Sequence, residues 1–489
     1  MRKRLAGARC RLLSAALGLM GVLLCPGVDV DAQDGTLAIL HTDGFRGRFE
    51  QMLKVGPILE AARMEVGRVV LLDGGNALAP SEGSFVHPEG GASLTVTLLN
   101  RAGYNGWVPG QQAFGLSQDR LTGYLRGARF PVLGANLHRA DTGRPPLQVQ
   151  PYSMVWTGGL RVGVLGLGPA GSGLAAGDPI GAAQYYVPIL RESADIVVLL
   201  CHLGAQVDSA LAVSVPGVDL IIDGRPDNGR AGIRRVNGVP ISGGDRTGTT
   251  LGRIDLVLAG GRVSDVSGRR VPLDATPLSP ETIERALVGW TAAVDGEAVP
   301  VWAPLGTCAG GFAPDRRPAS AMDYLVADLM RAASGADVAF VAAANLNPEL
   351  REGPIRVLDL FRVYPWSHRV VVLSIKGERI RDLLEGSLST PGTSYHPSGL
   401  VVVTDPSRAK GERVVSVTFG GERLESGQVY RVAVEEAVAA ASGTTKGLAD
   451  ALDVRVRRDT GILVRDLLAR HIRSAGVIRG TMDGRVQSR

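Results

Sequence analysis

Four side chains of types that bind metal ions each follow a short apolar run in this 489-residue chain. They are Asp43, Asn76, His202 and Asp227. The runs before them are rich in Val, Ile and Leu and predict buried strands, and the carboxyl ends of such strands meet at one edge of an α/β sheet. Carboxylate, amide and imidazole groups gathered there would hold one hard cation. The alternative is that these residues only form hydrogen bonds within their loops.

Two arginines follow two of the same strands. Arg46 comes after the first predicted strand, and Arg225 follows the run Leu220–Ile222. A guanidinium stays protonated and cannot ligate a metal, but two of them can hold phosphate, sulfate or carboxylate directly. The alternative is that acidic neighbours such as Asp43 and Asp223 neutralise both arginines.

The elements that must position these residues alternate along the first half of the chain. Between about Thr36 and Leu258, short apolar runs bounded by Gly, Asp or Asn are separated by amphipathic stretches, which predicts an α/β layered fold. The predicted strands are Leu37–His41, Val69–Leu72, Val132–Ala135, Val162–Leu167, Ile196–Leu200 and Leu220–Ile222.

A boundary lies near Pro277–Pro280. Ser279 is a good N-cap and Pro280 fits the first helical position, so a connecting helix is predicted from there to about Ala293. Strand and helix patterns after Val299 indicate an α+β domain, with a helix predicted over Thr460–Ser474. The predicted organisation is a signal peptide (1–32), a first domain (36–258), a connector (259–298) and a second domain (299–489).

The first 32 residues have the pattern of an export signal. Basic residues between Arg2 and Arg11 precede the apolar run Leu12–Leu24, and Val30 and Ala32 are small residues at the cleavage positions. We therefore expect cleavage after Ala32, no membrane span afterwards, and a periplasmic or secreted protein. The basic leader accounts for most of the formal net charge of +5, so no nucleic-acid partner is expected.

Several segments together resemble the bacterial 5′-nucleotidase family, exported hydrolases with a calcineurin-like metallophosphoesterase domain and a 5′-nucleotidase C-terminal domain. The resemblance implies a metallophosphoesterase-like α/β sandwich followed by an α+β domain, and rotation of the domains about the connector. The segments include Leu37–Arg48, Leu71–Asn76, Gly110–Phe114, Phe130–Asn136, Asp195–Gly204, Asp223–Asp227, Gly353–Ile355 and Tyr364–Trp366.

The same resemblance implies two divalent metals, held by Asp, His and Asn side chains in the loops after the strands. Of the matching positions only His202 keeps its identity, so we expect no two-metal site and no catalytic histidine. His202, Asn76 and Asp227 remain as a vestigial metal set. The matching positions are Gly44 and Arg46 for an Asp and a His, Asn76 for the bridging carboxylate, Gln112 for the catalytic His, and Arg225 and Asp227 for two further His.

In the second domain the resemblance implies a nucleoside site between two aromatic rings. Trp366 matches one ring, whereas Ala437 stands at the other position and Asn347 replaces a substrate-binding Arg. Trp366 is a competent stacking platform. The alternative role for Trp366 is ordinary packing between the domains.

The expected function is that of a catalytically degenerate pseudoenzyme, which binds a small anion, a nucleotide-like ligand or a periplasmic protein. Arg46, Arg225 and Trp366 are the expected ligand contacts, and no cofactor is expected. The alternative is an active 5′-nucleotidase or phosphoesterase with a reduced site, using a divalent metal such as Mn, Zn, Mg or Ca. Family membership alone does not decide whether the chain is an enzyme.

Overall fold

The structure is a computed structural model. It describes residues 34–488 except 79–83, 88–92, 112, 114–115, 117, 147, 172, 226–231, 246, 314–318, 390–393 and 441–455. The predicted leader, Gln112 and Asp227 therefore lie outside the described residues. Within the described ranges, no helix has the length and apolar character needed to cross a lipid bilayer.

Strands and helices alternate in the first part of the chain. The strands are β1 (Gly35–Thr42), β2 (Val69–Asp73), β3 (Phe85–Val86), β4 (Gly106–Trp107), β5 (Leu137–Arg139), β6 (Tyr152–Thr157), β7 (Leu160–Leu167), β8 (Leu174–Ala176), β9 (Ile196–Cys201), β10 (Leu220–Asp223), β11 (Ile233–Val236), β12 (Val239–Gly243), β13 (Thr250–Ala259) and β14 (Arg262–Pro272). The helices are α1 (Phe49–Val66), α2 (Leu94–Ala102), α3 (Gln118–Gly127), α4 (Pro179–Arg191) and α5 (Ala205–Ser214).

These elements form two sheets packed face to face, with helices on both outer sides. The sheet orders are β14-β13-β1-β2-β4 and β11-β12-β10-β9-β7-β6, and β5 pairs with β8. Strands β1, β2 and β4 are parallel to one another, as are β7, β9, β10 and β12. The loops after these strands therefore share one edge. Strand β14 lies in the segment predicted as connector, so the first sheet continues past residue 258.

Burial on both faces explains why the strands are almost continuously apolar. In β1, Leu37 and Ile39 pack between the two sheets against residues such as Val162 and Val198. The alternate residue Leu40 packs outward against α1 and α2. The second sheet is covered in the same way by α4 and α5. Strands buried on both faces lose the polar alternation of a half-exposed sheet.

The connector differs from the predicted single helix. After β14 it contains α6 (Pro280–Leu287), β15 (Thr291–Val294) and β16 (Glu297–Pro300). The Ser279 side chain accepts a hydrogen bond from the Thr282 N–H, as expected of an N-cap. The helix ends at Leu287, because Val288 has an extended ψ of 135° and Gly289 has a positive φ of 83°. Further along, Asp295 and Gly296 have φ angles of 56° and 82° and form the turn of the β15–β16 hairpin. Strand β15 also pairs with β3.

The second domain contains twelve strands and five α-helices among the described residues. The strands are β17 (Pro304–Ala309), β18 (Val338–Ala342), β19 (Gly353–Arg356), β20 (Arg369–Lys376), β21 (Tyr395–Ser398), β22 (Leu400–Thr404), β23 (Val414–Phe419), β24 (Glu422–Arg423), β25 (Val429–Glu435), β26 (Val456–Leu463), β27 (Val477–Arg479) and β28 (Val486–Ser488). The helices are α7 (Ala321–Ser334), α8 (Val357–Val363), α9 (Gly377–Ser389), α10 (Glu436–Ala439) and α11 (Val464–Ala475).

The second domain is built on a five-stranded sheet of order β21-β18-β25-β20-β26, with smaller sheets β19-β17-β27 and β24-β23-β22-β28. The predicted helix over Thr460–Ser474 begins only at Val464, because the preceding residues pair as β26 with β20.

The two domains share a buried aromatic contact. The Phe85 ring of β3 lies 5.0 Å from the Phe49 ring of α1 and 4.7 Å from the Phe361 ring of α8, measured between ring centroids. All three rings belong to one hydrophobic cluster that extends from the outer side of the first sheet into the second domain. We call these three residues the aromatic seam.

Candidate functional site

The site predicted from the strand ends is assembled at the shared edge of the two sheets. Arg46 and Asn76 lie in the loops after β1 and β2, and His202 and Arg225 follow β9 and β10. His202 is fully buried, Asn76 is partly buried, and both arginines are exposed. The structure thus brings together four of the residues singled out in the sequence.

The loops at this edge are held together by their backbones. The N–H groups of Gly44 and Arg46 donate to the carbonyls of Gly75 and Asn76 at 2.9 and 2.8 Å. Arg46 and Asn76 have φ angles of 48° and 57°, in the left-handed region that non-glycine residues rarely adopt. Strain of this kind persists where the surroundings fix the backbone, often at functional sites.

The ring of His202, a residue for which the resemblance implies a metal-ligand role, is fixed by the neighbouring loop. Nδ1 lies 2.6 Å from the carbonyl oxygen of Gly74, so this nitrogen donates to that oxygen. Burial lowers the pKa of His202 to about 4, against the opposing effect of the Gly74 carbonyl. The charges of Arg225 and Arg46 lower this pKa further, so both guanidiniums act on His202 and it is neutral at pH 7.

Buried acids lie beneath the Arg46 loop. Asp43 is nearly fully buried, and its Oδ2 accepts a hydrogen bond of 3.1 Å from the Asp245 N–H. Asp73 accepts 2.7 Å and 2.9 Å hydrogen bonds from the Thr42 hydroxyl and the Gly75 N–H. Burial raises the pKa of both carboxyls, despite these hydrogen bonds. Asp43 and Asp73 are therefore buried, and their raised pKa values disfavour the charged form. Neither presents an exposed negative charge toward Arg46.

Asp245 organises the loop that leads from β12 to β13. Its carboxylate accepts six hydrogen bonds of 2.5–3.0 Å from the N–H and hydroxyl groups of Thr247, Thr249 and Thr250. Burial raises the pKa of Asp245, but the hydrogen bonds from Thr247 and Thr250 outweigh burial and bring the pKa to about 2. The loop therefore depends on an ionised carboxylate.

We expect Asp245→Ala to lower the free energy of unfolding by about 2 kcal/mol, because several loop donors lose a charged acceptor. Chemical denaturation at pH 7 measures this change. Stability contributed by Asp245 should also be lost as the pH falls from about 4 toward 2, since its folded-state pKa lies below its unfolded value. Asp141→Ala is the control, because Asp141 is exposed and pairs only locally with Arg139. Equal effects of the two substitutions would contradict the organising role of Asp245.

The described residues do not fit a two-metal centre. Within the described ranges no group of three or more His, Cys, Asp and Glu side chains is placed to hold a metal ion. Nε2 of His202 and Oδ1 of Asp43 are buried without a hydrogen-bond partner, and they are only part of a ligand set. At two positions where the resemblance implies metal ligands, the chain carries guanidiniums, those of Arg46 and Arg225, which cannot ligate a cation.

An open cleft of about 320 Å³ lies between the domains next to this edge. Arg46, Arg48 and Thr247 line it from the first domain, and Arg362 and Trp366 are among the residues from the second. Trp366, predicted as a stacking platform, is therefore placed in the same cleft as Arg46. Arg225 does not line this cleft.

Trp366 presents a ring that is already stacked on one side. The His368 ring lies parallel to it, with an interplanar angle of 6° and a centroid distance of 5.4 Å. The buried Arg465 donates a 3.2 Å hydrogen bond to the Trp366 carbonyl and lies 3.8 Å above the Phe361 ring. The His368 ring thus packs against the indole and Arg465 holds the Trp366 backbone, which suits a fixed platform at the wall of the cleft.

Sequence reasoning did not identify Arg48 and Arg362 as cleft residues. Arg48 lies within the first recognised motif, two positions after Arg46, and Arg362 lies shortly before the recognised segment Tyr364–Trp366. The available signal was therefore their proximity to motifs. What the sequence lacks is any local sign that the two segments meet across the domain boundary.

A larger cavity of about 500 Å³ lies within the second domain, lined by α9, β21, β22 and β28. Its lining is mostly apolar and, within the described part of the chain, contains no Asp, Glu, Lys or Arg. Since it lies away from the strand-end loops, the interdomain cleft is the candidate site.

Comparison with known proteins agrees with this architecture. The family model described as "5′-nucleotidase, C-terminal domain" matches residues 305–449. The chain is similar to the uncharacterized metallophosphoesterase YunD of Bacillus subtilis (strain 168), with 23% identity over 81% of this chain and 91% of the relative. It is also similar to a 5′-nucleotidase of Diplobatis ommata, with 22% identity over 92% and 89% of the two chains.

The solved structures give the same fold. The crystal structure of a 5′-nucleotidase precursor from Thermus thermophilus matches with a TM-score of 0.67 and 21% identity, covering 93% of this chain and 99% of that one. The predicted fold class is thus confirmed: a metallophosphoesterase-like α/β sandwich followed by an α+β C-terminal domain. The resemblance read from the sequence motifs is confirmed as well.

Proposed function

We propose that this 5′-nucleotidase-family protein is a catalytically degenerate member, which binds an anionic, nucleotide-like ligand between its domains. It does not hydrolyse 5′-nucleotides by two-metal chemistry. The observation that carries the proposal is the composition of the strand-end loops. Among the described residues they offer no group of three metal-binding side chains, and Arg46 and Arg225 occupy two positions where the resemblance implies metal ligands.

The electrostatics of the cleft support binding in place of metal catalysis. In a two-metal phosphoesterase the dications neutralise the phosphate and activate water. Here Arg46 lines the cleft and Arg225 lies at the neighbouring strand-end edge, and the charges of both lower the pKa of the neutral His202. Guanidiniums bind oxyanions through paired N–H donors, but they cannot lower the pKa of water as a dication does. Such an arrangement holds an anion without generating a metal-bound nucleophile.

We therefore expect the purified protein to contain far less than one transition metal per chain. We expect no phosphate release from AMP above the buffer control, with or without added manganese or zinc. Elemental analysis and a phosphate assay on the same preparation measure both quantities. Two metals per chain together with rapid turnover would refute the proposal of a degenerate member.

A designed variant serves as the matched control for this test. Gly44→Asp/Arg46→His places the family's ligand types at two positions of the first loop. It should retain more manganese than the natural chain after dialysis, because it adds a carboxylate and an imidazole and removes a guanidinium. Identical metal content in the two proteins would mean that the substituted positions do not limit metal binding.

The second candidate function is phosphoesterase activity with a reduced metal site. One observation favours it: Nε2 of His202 and Oδ1 of Asp43 are buried acceptor positions without a hydrogen-bond partner among the described residues. Turnover that requires added metal and disappears in His202→Ala would support this candidate over the binding role.

We also propose that the protein is exported to the periplasm or beyond the cell. The support is the leader pattern at residues 1–32, with its basic, apolar and small-residue regions in order. A periplasmic protein is the alternative partner to a small anion, and it would use the exposed rim of the same cleft.

A further inference from the structure

We propose that the cavity within the second domain binds an uncharged, mainly apolar small molecule that carries a hydroxyl group. Its volume of about 500 Å³ lies within the range of roughly 300–1,000 Å³ for small-molecule sites. The cavity and the interdomain cleft share no lining residue among those the structure describes. This second site is therefore independent of the anion-binding function proposed for the cleft.

The cavity lies where two sheets of the second domain diverge. Strand β21 forms the edge of the five-stranded sheet, whereas β22, the next strand along the chain, belongs to the four-stranded sheet. The single residue between them, Gly399, has a φ angle of 87°, in the left-handed region that favours glycine. Both strands line the cavity, together with α9 and β28. Most of its described wall is thus regular secondary structure.

The sheet face that lines the cavity carries an apolar row beside a hydroxyl row. Strands β22 and β28 pair in parallel, with Val402 opposite Val486 and Thr404 opposite Ser488. All four residues line the cavity. Because alternate residues of a strand point to the same side, the two rows lie next to each other on one face. A ligand with an apolar body and a hydroxyl group matches this pattern.

Helix α9 contributes a second apolar surface. Leu384, Ser387 and Leu388 line the cavity at the i, i+3 and i+4 spacing of one helix face. The Ser387 hydroxyl donates a 3.1 Å hydrogen bond to the Leu383 carbonyl and accepts a 3.2 Å hydrogen bond from the Tyr395 N–H. Ser387 therefore links α9 to β21, and the two leucines provide the surface for the ligand.

The hydroxyl row retains capacity for a hydrogen bond to the ligand. Thr404 is nearly fully buried, and its hydroxyl donates a 3.1 Å hydrogen bond to the Gln487 carbonyl. A hydroxyl oxygen also has two acceptor lone pairs, so Thr404 can accept a hydrogen bond from a ligand O–H. The ligand hydroxyl is therefore expected beside Thr404 and Ser488, and the apolar body beside Val402 and Val486.

The lining also determines the charge of the ligand. Within the described ranges it contains no Asp, Glu, Lys or Arg. A charged group moved from water into such surroundings incurs a large desolvation penalty unless an opposite charge meets it. His396 does line the cavity, but its Nε2 lies 3.6 Å from Oδ2 of the buried Asp323, so a carboxylate already faces this imidazole. The ligand is therefore uncharged.

Calorimetry and thermal melting of the purified protein test this proposal with two neutral probes, 1-decanol and 2-naphthol. At least one of them should bind and raise the Tm, because a ligand that binds only the folded state stabilises it. The charged counterparts decanoate, decylammonium and 2-naphthoate should each bind at least tenfold more weakly than the neutral probe with the same hydrocarbon skeleton.

Two substitutions that fill the cavity locate the binding site. Val486→Trp from β28 and Leu388→Trp from α9 should each weaken binding of the neutral probe at least tenfold, because the indole would occupy the cavity. Both residues are only partly buried, so neither substitution inserts a ring into the closed core. Val401→Trp is the matched control, since Val401 neighbours Val402 on β22, is 43% exposed and does not line the cavity.

The control Val401→Trp should leave the affinity unchanged. Without a probe, at least one of the two filling variants should melt no lower than the natural protein, because a ring in an apolar cavity adds buried apolar surface. The proposed site would be wrong if neither neutral probe bound, if the charged counterparts bound as tightly, or if binding survived both filling substitutions. Anion binding between the domains should be unchanged in Val486→Trp, so the failure of one proposal leaves the other standing.

Discussion

Replacing Gly224 with alanine is expected to lower the free energy of unfolding by about 3 kcal/mol, the upper end of the usual range for overpacking. A Cβ at this position would lie 2.0 Å from the carbonyl oxygen of Gly74 and 2.7 Å from its Cα. These are backbone atoms, so no side chain can rotate away to make room. The loop after β2 would have to move, together with the His202 ring that binds the same Gly74 carbonyl.

Gly386→Ala is the matched control for this substitution. Gly386 lies on an exposed face of α9, and a Cβ there would meet nothing within 4 Å. Alanine in a helix interior is favoured over glycine, so this variant should gain about 0.5–1 kcal/mol. Urea denaturation of both variants at pH 7 measures the contrast. A Gly224→Ala protein as stable as the natural one would mean that the loops after β2 and β10 are not in direct backbone contact.

The second large effect is the pH dependence expected from Glu435, at the end of β25. Its carboxyl is fully buried and accepts hydrogen bonds from the Ala342 N–H and the Asn345 side chain. Burial raises the pKa of Glu435 from 4.5 to about 7, against the lowering effect of these hydrogen bonds. Between these pH values the folded protein holds a proton that the unfolded chain has released.

The folded state therefore loses stability as the pH rises from about 4.5 to about 7. At 1.36 kcal/mol per pKa unit, the loss attributable to Glu435 amounts to about 3 kcal/mol. Glu435→Gln keeps the side chain neutral at every pH and removes this loss. Relative to the natural protein, the variant should gain about 3 kcal/mol between pH 4.5 and pH 8.

The neighbouring residue provides the control for the pH experiment. Glu436 is partly exposed and pairs with Arg369 at 2.6 Å, and the hydrogen bond from Arg369 lowers its pKa. Glu436 therefore affects the pH dependence of stability with the opposite sign. Because its pKa is lower in the folded state, it stabilises the fold at pH values above its unfolded-state pKa. Glu436→Gln should change stability by less than about 1 kcal/mol, as expected for an exposed pair. If the free energy of unfolding changed with pH in the same way in Glu435→Gln and in the natural protein, this would contradict the prediction that Glu435 is buried and protonated.

The sandwich could be predicted from the sequence because its strands are buried on both faces. Runs such as Ile196–Leu200 carry an uninterrupted apolar signal, and the structure extends this one by a single residue to Cys201. The N-cap role of Ser279 could also be predicted from the sequence, because capping depends on a local side chain. The hairpin after α6 was missed because its Asp295–Gly296 turn lies directly after a stretch predicted as one continuous helix.

The candidate site was only partly predictable, for a physical reason. His202, Asn76, Arg46 and Arg225 follow strands of parallel sheets, and the fold class alone brings such positions together. Arg48 and Arg362 come near each other only across the boundary between the two domains. No periodicity or spacing encodes that contact. The glycines that let the loops touch, such as Gly224, are likewise recognisable only once the opposing backbone is known.

The aromatic seam of Phe49, Phe85 and Phe361 has a consequence for the kinetics of ligand capture. Rotating one domain against the other would separate these rings and expose large apolar surfaces to water, an unfavourable change for aromatic side chains. We therefore expect this arrangement of the cleft walls to be favoured even before a ligand binds. In this arrangement the rate of ligand capture would be set by diffusional encounter, which long-range attraction accelerates for anions and added salt slows.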